Sequence, residues 1–101
     1  MANLPVIEIP AEMLPEPVTE SFVFHTDIGH GWLEVPFNEL LRLGITTEIS
    51  KYSYVKGDKV FLEEDCDAPR FLRAMSKVNR PYKFIEKNVN GQSEIRNYRR
   101  Y

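Results

Sequence analysis

Two short runs of mainly apolar positions near residue 30, Phe22–His25 and Trp32–Val35, predict two strands. The residues between them, Thr26–Gly31 (TDIGHG), contain two glycines, as hairpin loops of four to six residues often do. We therefore expect these two strands to form an antiparallel hairpin.

A second hairpin is predicted around Gly57-Asp58, because glycine in the first position of a two-residue loop favours a type II′ turn. Its strands are Tyr52–Lys56 and Lys59–Glu63. The turn sets the register, and the expected opposite pairs are Val55 with Val60 and Tyr54 with Phe61. One side of the hairpin then carries Val55, Val60 and Leu62. The other side, which we call the aromatic face, carries Tyr52, Tyr54, Lys56, Lys59 and Phe61.

Two helices are predicted from apolar spacing and from end signals. Phe37, Leu40 and Leu41, followed by Gly44, indicate a short helix that stops at the glycine. A second helix is expected to start at Asp67-Ala68-Pro69, with the Asp67 carboxylate accepting from the free N–H groups, and to end at Pro81. Its apolar stripe consists of Phe71, Leu72, Met75 and Val78.

A last hairpin is predicted around Asn90-Gly91, with strands at Tyr82–Val89 and Ser93–Tyr98. The pattern leaves two registers open. A two-residue loop would oppose Lys87 and Glu94, whereas a four-residue loop would oppose Phe84 and Ile95. The fold class that follows is α+β, with about six short, mainly antiparallel strands in hairpins and two helices.

Residues 1–20 are predicted to form an extended arm that contains proline and glutamate, and residues 21–101 a single α+β domain. Four prolines in the arm interrupt any helix and cannot donate to an interior ladder. The arm also holds more apolar residues than a disordered tail would. We expect it either to lie across the domain or to dock on a partner.

Composition predicts a packed core, because 43% of the residues are hydrophobic and 12% are aromatic. Cys66 is the only cysteine, which excludes an intrachain disulfide and fits a reducing compartment. The N-terminus lacks the basic start and apolar run of a signal peptide, and no stretch approaches the roughly 20 apolar residues of a membrane span. We therefore expect a cytoplasmic protein without a membrane partner.

Charge is distributed unevenly along the chain, although the total is only −2. Residues 1–69 hold thirteen Asp/Glu and four Lys/Arg, a net charge of −9. Residues 70–101 hold nine Lys/Arg and two Asp/Glu, a net charge of +7. Because charge patterning governs association more than it governs fold, this asymmetry predicts separate acidic and basic surfaces that meet partners.

His25, Asp27 and His30 are the weak candidates for a metal site. Two imidazoles and a carboxylate could hold zinc or iron, or could carry out acid–base chemistry. The alternative is a hairpin loop in which Asp27 and His30 satisfy backbone groups. We favour the loop, because no matching ligand pair is evident elsewhere apart from Cys66 and its acidic neighbours. The prediction is no metal, no cofactor and no catalytic residue.

The acidic run Glu63–Asp67 surrounds Cys66 and precedes the second helix. Its carboxylates could bind a cation or a basic surface, but the helix macrodipole also favours anions at this position. We assign the run mainly to capping and solvation. The same carboxylates oppose ionisation of the Cys66 thiol, which argues against a nucleophile.

Two surfaces are candidates for partner binding. The aromatic face resembles a stacking platform for single-stranded nucleic acid, or a strand that another segment covers. The basic candidates could neutralise phosphates or meet an acidic protein patch. The candidates from the second helix and its exit are Arg70, Arg73, Lys77, Arg80 and Lys83. Those at the end of the chain are Arg96, Arg99 and Arg100, which interleave with Tyr98 and Tyr101. Trp32 is predicted to be a core anchor.

The runs GHGWLEVP, LGI, YSY and VFLEEDCD, which lie between residues 29 and 67, carry a family resemblance. They resemble a family of small uncharacterised domains found in bacteria, phages and other mobile elements. The resemblance covers roughly residues 22–75. It brings no established activity, and it implies a setting, namely a phage or mobile-element accessory gene in the cytoplasm of a bacterial host.

Three functions follow as hypotheses. The first is non-catalytic binding to a host protein or ribonucleoprotein complex, and the implied setting extends this to an anti-defence inhibitor of the anti-CRISPR type. The second is nucleic-acid binding through the basic C-terminal third and the aromatic face, against which the overall acidity counts. The third, ranked last, is a small metalloprotein or enzyme built on His25, Asp27 and His30. The sequence leaves the oligomeric state open.

Overall fold

One mixed β-sheet with two helices on one face makes up the part of the chain that the computed structural model describes, residues 19–101. The predicted arm lies outside this range except for Thr19 and Glu20. The strands are β1 (Glu20–Thr26), β2 (Gly31–Pro36), β3 (Tyr54–Lys56), β4 (Lys59–Glu63), β5 (Tyr82–Asn88) and β6 (Arg99–Arg100). The helices are α1 (Phe37–Leu43) and α2 (Asp67–Lys77), and Glu94–Asn97 forms a 3₁₀ turn.

The strand order is β5-β1-β2-β4-β3-β6, and every neighbouring pair is antiparallel except β1 with β5. The predicted α+β class is therefore confirmed, with six mostly antiparallel strands and two helices. Neither helix within residues 19–101 has the length and apolar character needed to cross a bilayer.

Both predicted hairpins in the first two thirds of the chain are confirmed. In the first hairpin, His25 lies opposite Trp32. In the second, Val55 lies opposite Val60, and Tyr54 lies opposite Phe61. Gly57 has a φ of 60° while Asp58 keeps a negative φ, which is the combination that a type II′ turn requires.

The first helix ends as predicted, since Gly44 adopts the left-handed conformation with a φ of 70°. The Ile45 N–H donates to the Leu40 carbonyl at 3.0 Å, and the Gly44 N–H donates to the Leu41 carbonyl at 3.1 Å. This pair of bonds is a Schellman motif, which satisfies carbonyls that the helix leaves without a partner.

The prediction that Pro81 ends the second helix is wrong, because α2 stops at Lys77. Asn79 adopts a φ of 56°, and the Arg80 N–H donates to the Met75 carbonyl at 3.0 Å. A second Schellman motif therefore closes α2 before the proline. Asparagine tolerates the left-handed conformation better than other residues that have a Cβ atom.

Asp67 does not cap its own helix, so that prediction is also wrong. Its side chain is fully buried, and it accepts hydrogen bonds from the hydroxyls of Ser50 at 2.6 Å and Ser53 at 2.5 Å. The Ser50 N–H also donates to it at 3.1 Å. Asp67 therefore fastens the loop before β3 to the start of α2. The carboxylate that caps the preceding turn belongs to Glu63, which accepts from the Asp65 and Cys66 N–H groups.

The predicted C-terminal hairpin is wrong in both of its registers. β5 pairs in parallel with β1, and Phe84 lies opposite Phe22 rather than Ile95. β4 and β5 run in the same direction, so the chain must cross over between them, and α2 forms this crossover connection. After Gly91, which has a φ of 77°, the chain returns over the sheet to form the 3₁₀ turn and then β6, which pairs with β3.

Each face of the sheet centre carries its own apolar cluster. The helices cover the larger cluster, which includes Leu33, Val35, Val60, Leu62 and Phe71. The opposite face holds a smaller cluster of Trp32, Tyr54, Phe61 and Ile95, with Tyr98 packed against it. Trp32 is 2% exposed, so its predicted place in the core is confirmed.

Candidate functional site

We call the last nine residues, 93–101, the C-terminal segment. Ile95 and Tyr98 pack against the sheet face opposite the helices, whereas the Tyr101 side chain packs against the cluster on the helix side. Ile95 is buried in the cluster around Trp32, and the Tyr98 ring lies 5.2 Å from the Phe61 ring. The Tyr101 N–H donates to the Ser53 carbonyl at 2.9 Å, and its hydroxyl donates to the Thr46 carbonyl. The segment is therefore an integral part of the fold.

Asp27 ties the C-terminal segment to the first hairpin. Arg96 forms a two-point contact with it, Nε to Oδ2 at 2.7 Å and Nη2 to Oδ1 at 2.9 Å. The N–H groups of Gly29, His30 and Ser93 donate to the same carboxylate. The Arg96 guanidinium is the main cause that holds the pKa of Asp27 well below its usual range, and the three backbone bonds act in the same direction.

The predicted metal candidates are not brought together. Asp27 is occupied by the donors just described, and His25 Nε2 lies 2.9 Å from Glu34 Oε1. The His30 ring packs 5.9 Å from the Trp32 ring. Within residues 19–101, no group of three or more His, Cys, Asp or Glu side chains is placed to hold a metal ion. The loop interpretation is confirmed in one detail, because Asp27 accepts from the His30 N–H at 2.9 Å.

The aromatic face lies beneath the C-terminal segment. Tyr54 and Phe61 are 9% and 6% exposed, and the Lys56 ammonium lies 4.6 Å from the Tyr98 ring centre. Tyr52 lies outside β3 and is 57% exposed. Because nucleic-acid bases need accessible rings, Tyr52 is the residue of this face that could stack with one in the observed conformation.

A cleft of about 400 Å³ opens beside the C-terminal segment. The guanidinium of Arg96 lies 5.6 Å from the Trp32 ring centre, and that of Arg100 lies 5.1 Å from the Tyr54 ring centre. These contacts hold both cations over aromatic faces. The cleft brings together residues from the first loop, the aromatic face, the acidic run and the basic candidates. Its lining consists of His30, Trp32, Tyr52, Tyr54, Glu63, Asp65, Cys66, Arg96 and Arg100.

The basic candidates divide into structural and exposed residues. Arg96 is occupied by Asp27. Arg80 bridges Glu20 and Glu39, with its Nη2 atom 2.6 Å from a carboxylate oxygen of each, and these bonds raise its pKa. Sequence reasoning missed both ionic contacts, because the partners are 69 and 60 residues apart and no local pattern joins them.

A second basic region lies between the helices. A groove of about 460 Å³ is lined by Arg42, Arg70, Arg73 and Lys77, together with Glu48. Arg70 donates to the Glu48 carbonyl and lies 3.7 Å from Asp67 Oδ1. The helix candidates Arg70, Arg73 and Lys77 therefore form a group with Arg42, a residue that sequence reasoning did not select.

The strand β6 presents Arg99 and Arg100 at one edge of the sheet, where both are exposed. Residues that lie opposite in an antiparallel pair share a face, so Arg99 is on the side of Val55 and Arg100 on the side of Tyr54. Arg100 Nη1 also donates to the Lys51 carbonyl at 3.1 Å. Within residues 19–101, neither arginine forms an ion pair.

The protein therefore has an α+β fold in which both faces of the sheet centre are covered. At the β6 edge it presents Arg99 and Arg100, and Arg100 also lines the cleft, which holds both acidic and basic residues. Comparisons of the chain with protein-family models, with curated proteins and with solved structures found no match. The family resemblance therefore rests on the sequence motifs alone and stays a hypothesis.

Proposed function

We propose that this protein binds a macromolecule without catalysing a reaction, and that Arg99 and Arg100 are the centre of its binding surface. The observation that carries the proposal is the placement of these two arginines on β6, where they are exposed and form no ion pair within the described range. Because the backbone of both residues is already ordered in β6, binding a partner restricts mainly their side chains.

The surroundings of the pair support this proposal. Arg100 is held by the Lys51 carbonyl and the Tyr54 ring, so its guanidinium is oriented before a partner arrives. Lys51 and Tyr52 are exposed beside it and add a further cation and an aromatic ring. Arginine and tyrosine are among the residues that contribute most to protein–protein interfaces.

Because the exposed charged groups of this surface are cations, we expect its partner to be acidic. We propose a host protein or ribonucleoprotein complex, in the phage or mobile-element setting that the sequence resemblance implies, with anti-defence inhibition of the anti-CRISPR type as the specific role. Support for binding over catalysis comes from the titratable groups of the first loop, since His25 and Asp27 are engaged by Glu34 and Arg96.

Nucleic acid is the second candidate, and the exposed ring of Tyr52 next to Lys51 and Arg100 favours it. Such a group can stack one base and contact the neighbouring phosphates. The burial of Tyr54 and Phe61 removes two of the three rings that a longer stacking platform would use. We therefore rank a protein surface first.

Affinity capture from a nuclease-treated bacterial lysate tests the proposal. The Arg99→Glu/Arg100→Glu variant should lose a partner that the wild type retains. The matched control is Arg73→Glu/Lys77→Glu, which makes the same charge change on exposed residues of α2 in the groove between the helices. Equal retention by all three proteins would place the interface elsewhere. A complex that nuclease abolishes, with a steep salt dependence in mobility shifts, would instead identify nucleic acid as the partner.

A further inference from the structure

The outer edge of β5 has the features of an edge that could pair with a further strand. β5 is the terminal strand of the sheet, and its neighbour among the described residues is β1. Six of its seven residues are exposed, including Phe84 at 50% and Ile85 at 53%. A terminal strand offers a row of N–H and C=O groups along its outer side, and exposed apolar residues on both faces add a further reason to pair.

An apolar pocket lies beside this edge, between α2 and the sheet. Its volume is about 230 Å³, and its apolar lining comes from Phe24, Leu33, Ala68, Pro69, Leu72 and Phe84. A strand added to β5 would direct alternate side chains toward the helix side of the sheet, where this pocket opens. The expected occupant is therefore an extended segment with apolar residues at every second position.

We propose that residues 6–9 of this same chain, VIEI, add to β5 as an antiparallel seventh strand. With Ile7 opposite Phe84, the pattern of the segment matches both faces of β5. Ile7 and Ile9 then lie on the helix side with the pocket. Val6 lies opposite Ile85, and Glu8 lies opposite Lys83 on the other side of the sheet. One register therefore places apolar residues against apolar residues and opposite charges together.

The point at which residues 1–18 join the described fold is suitable for this placement. Glu20 lies opposite Tyr82 at the start of β5, and its N–H donates to the Pro81 carbonyl at 3.2 Å. Ile9 would lie opposite Tyr82 on the outer side, about 10 Å from Glu20, which is two strand spacings. Residues 10–19 can span roughly 33 Å when extended, so the connection is long enough.

The prolines agree with this assignment. Pro10, Pro15 and Pro17 lie in the connection, where no ladder hydrogen bond is required of them. Pro5 directly precedes the added strand and would lie opposite Glu86. The Glu20 N–H donates to the Pro81 carbonyl and the Val89 N–H donates to the Thr26 carbonyl, so the odd-numbered residues of β5 bond to β1 and Glu86 faces the open edge. Because proline has no N–H to donate at that position, the added ladder begins after Pro5. A tethered segment also has a high effective concentration compared with a peptide from another molecule.

Disulfide trapping in the full chain tests the proposal. In a Cys66→Ser background, which removes the native thiol, Ile7→Cys with Phe84→Cys should form an intramolecular disulfide under mild oxidation. The matched control pairs Val6→Cys with Phe84→Cys, which places the two thiols on opposite sides of the sheet, and it should cross-link at least about tenfold more slowly. Equal rates in the two variants would overturn the proposal. A disulfide-linked dimer would overturn it in favour of a strand exchanged between two copies.

Hydrogen exchange gives a second readout that needs no cysteine. Ile7→Asp/Ile9→Asp should raise the exchange of the outward-facing amides of β5 about tenfold and leave β3 and β4 unchanged. Met13→Asp/Leu14→Asp makes the same charge change in the connection and should leave β5 protected. Unchanged β5 exchange in both variants would contradict a docked strand. This proposal is independent of the binding surface at β6, because β5 lies at the opposite edge of the sheet.

Discussion

Asp27 shows how one side chain joins segments that are far apart in the chain. Its carboxylate receives two bonds from Arg96, one from the Ser93 N–H and two from its own loop, and its side chain is inaccessible to solvent. A carboxylate with so many donors is stabilised in its charged form. The residue that was a weak metal candidate from sequence therefore acts as a structural anchor.

We expect Asp27→Asn to lower stability most at neutral pH. Because the pKa of Asp27 is lowered in the folded state, its contribution is complete above the unfolded value of about 3.9 and is lost as the pH falls below it. Urea midpoints of the wild type and variant should therefore differ clearly at about pH 7, and the difference should shrink progressively as the pH falls below about 4. Asp58→Asn, in the exposed turn between β3 and β4, is the control. A difference between wild type and Asp27→Asn that does not change with pH would contradict the assigned role.

At the scale of elements, the C-terminal segment completes the second apolar cluster. Without Ile95 and Tyr98, the rings of Trp32, Tyr54 and Phe61 would face solvent. The segment therefore covers the face of the sheet that the two helices leave open. Its end, β6, then presents Arg99 and Arg100 on the β3 edge.

Ile95→Ala tests the contribution of this element. Removing a side chain that is 2% exposed should cost about 2–4 kcal/mol, because the transfer free energy and the cavity both count. Trp32 is the only tryptophan, so its emission should also shift to longer wavelength as water reaches the cluster. Val89→Ala, at a residue that is 42% exposed, should change stability by less than about 0.5 kcal/mol. An Ile95→Ala variant with unchanged stability and emission would contradict the packing.

Elements that local chemistry determines could be predicted from sequence, and those that depend on distant partners could not. Gly57 and Gly44 specify a turn and a helix end through their own backbone freedom. Asn90-Gly91 gives an equally clear local turn signal, but β5 pairs with β1, about 60 residues earlier in the chain. The contact between Arg96 and Asp27 is long-range in the same way. The candidate residues of the site were therefore recognised singly, and their grouping required the fold.

At the scale of the whole molecule, folding brings the two oppositely charged parts of the chain together. Arg80 binds Glu20 and Glu39, and Arg96 binds Asp27, so part of the basic C-terminal third is neutralised internally. The expectation of separate acidic and basic surfaces is therefore wrong for these residues, and also for the cleft, where Arg96 and Arg100 lie beside Glu63 and Asp65. Arg99 and Arg100 on β6 remain exposed, and a second basic region lies in the groove between the helices.

The dissociation constant of the captured partner tests the central claim most directly. With the purified partner, Arg99→Glu/Arg100→Glu should weaken binding by at least about tenfold, and raised salt should reduce the difference. The melting temperature of the free variant should fall only slightly, because Arg100→Glu removes one exposed hydrogen bond to the Lys51 carbonyl and the contact with the Tyr54 ring, and neither arginine forms an ion pair within residues 19–101. A dissociation constant equal to that of the wild type would contradict the account.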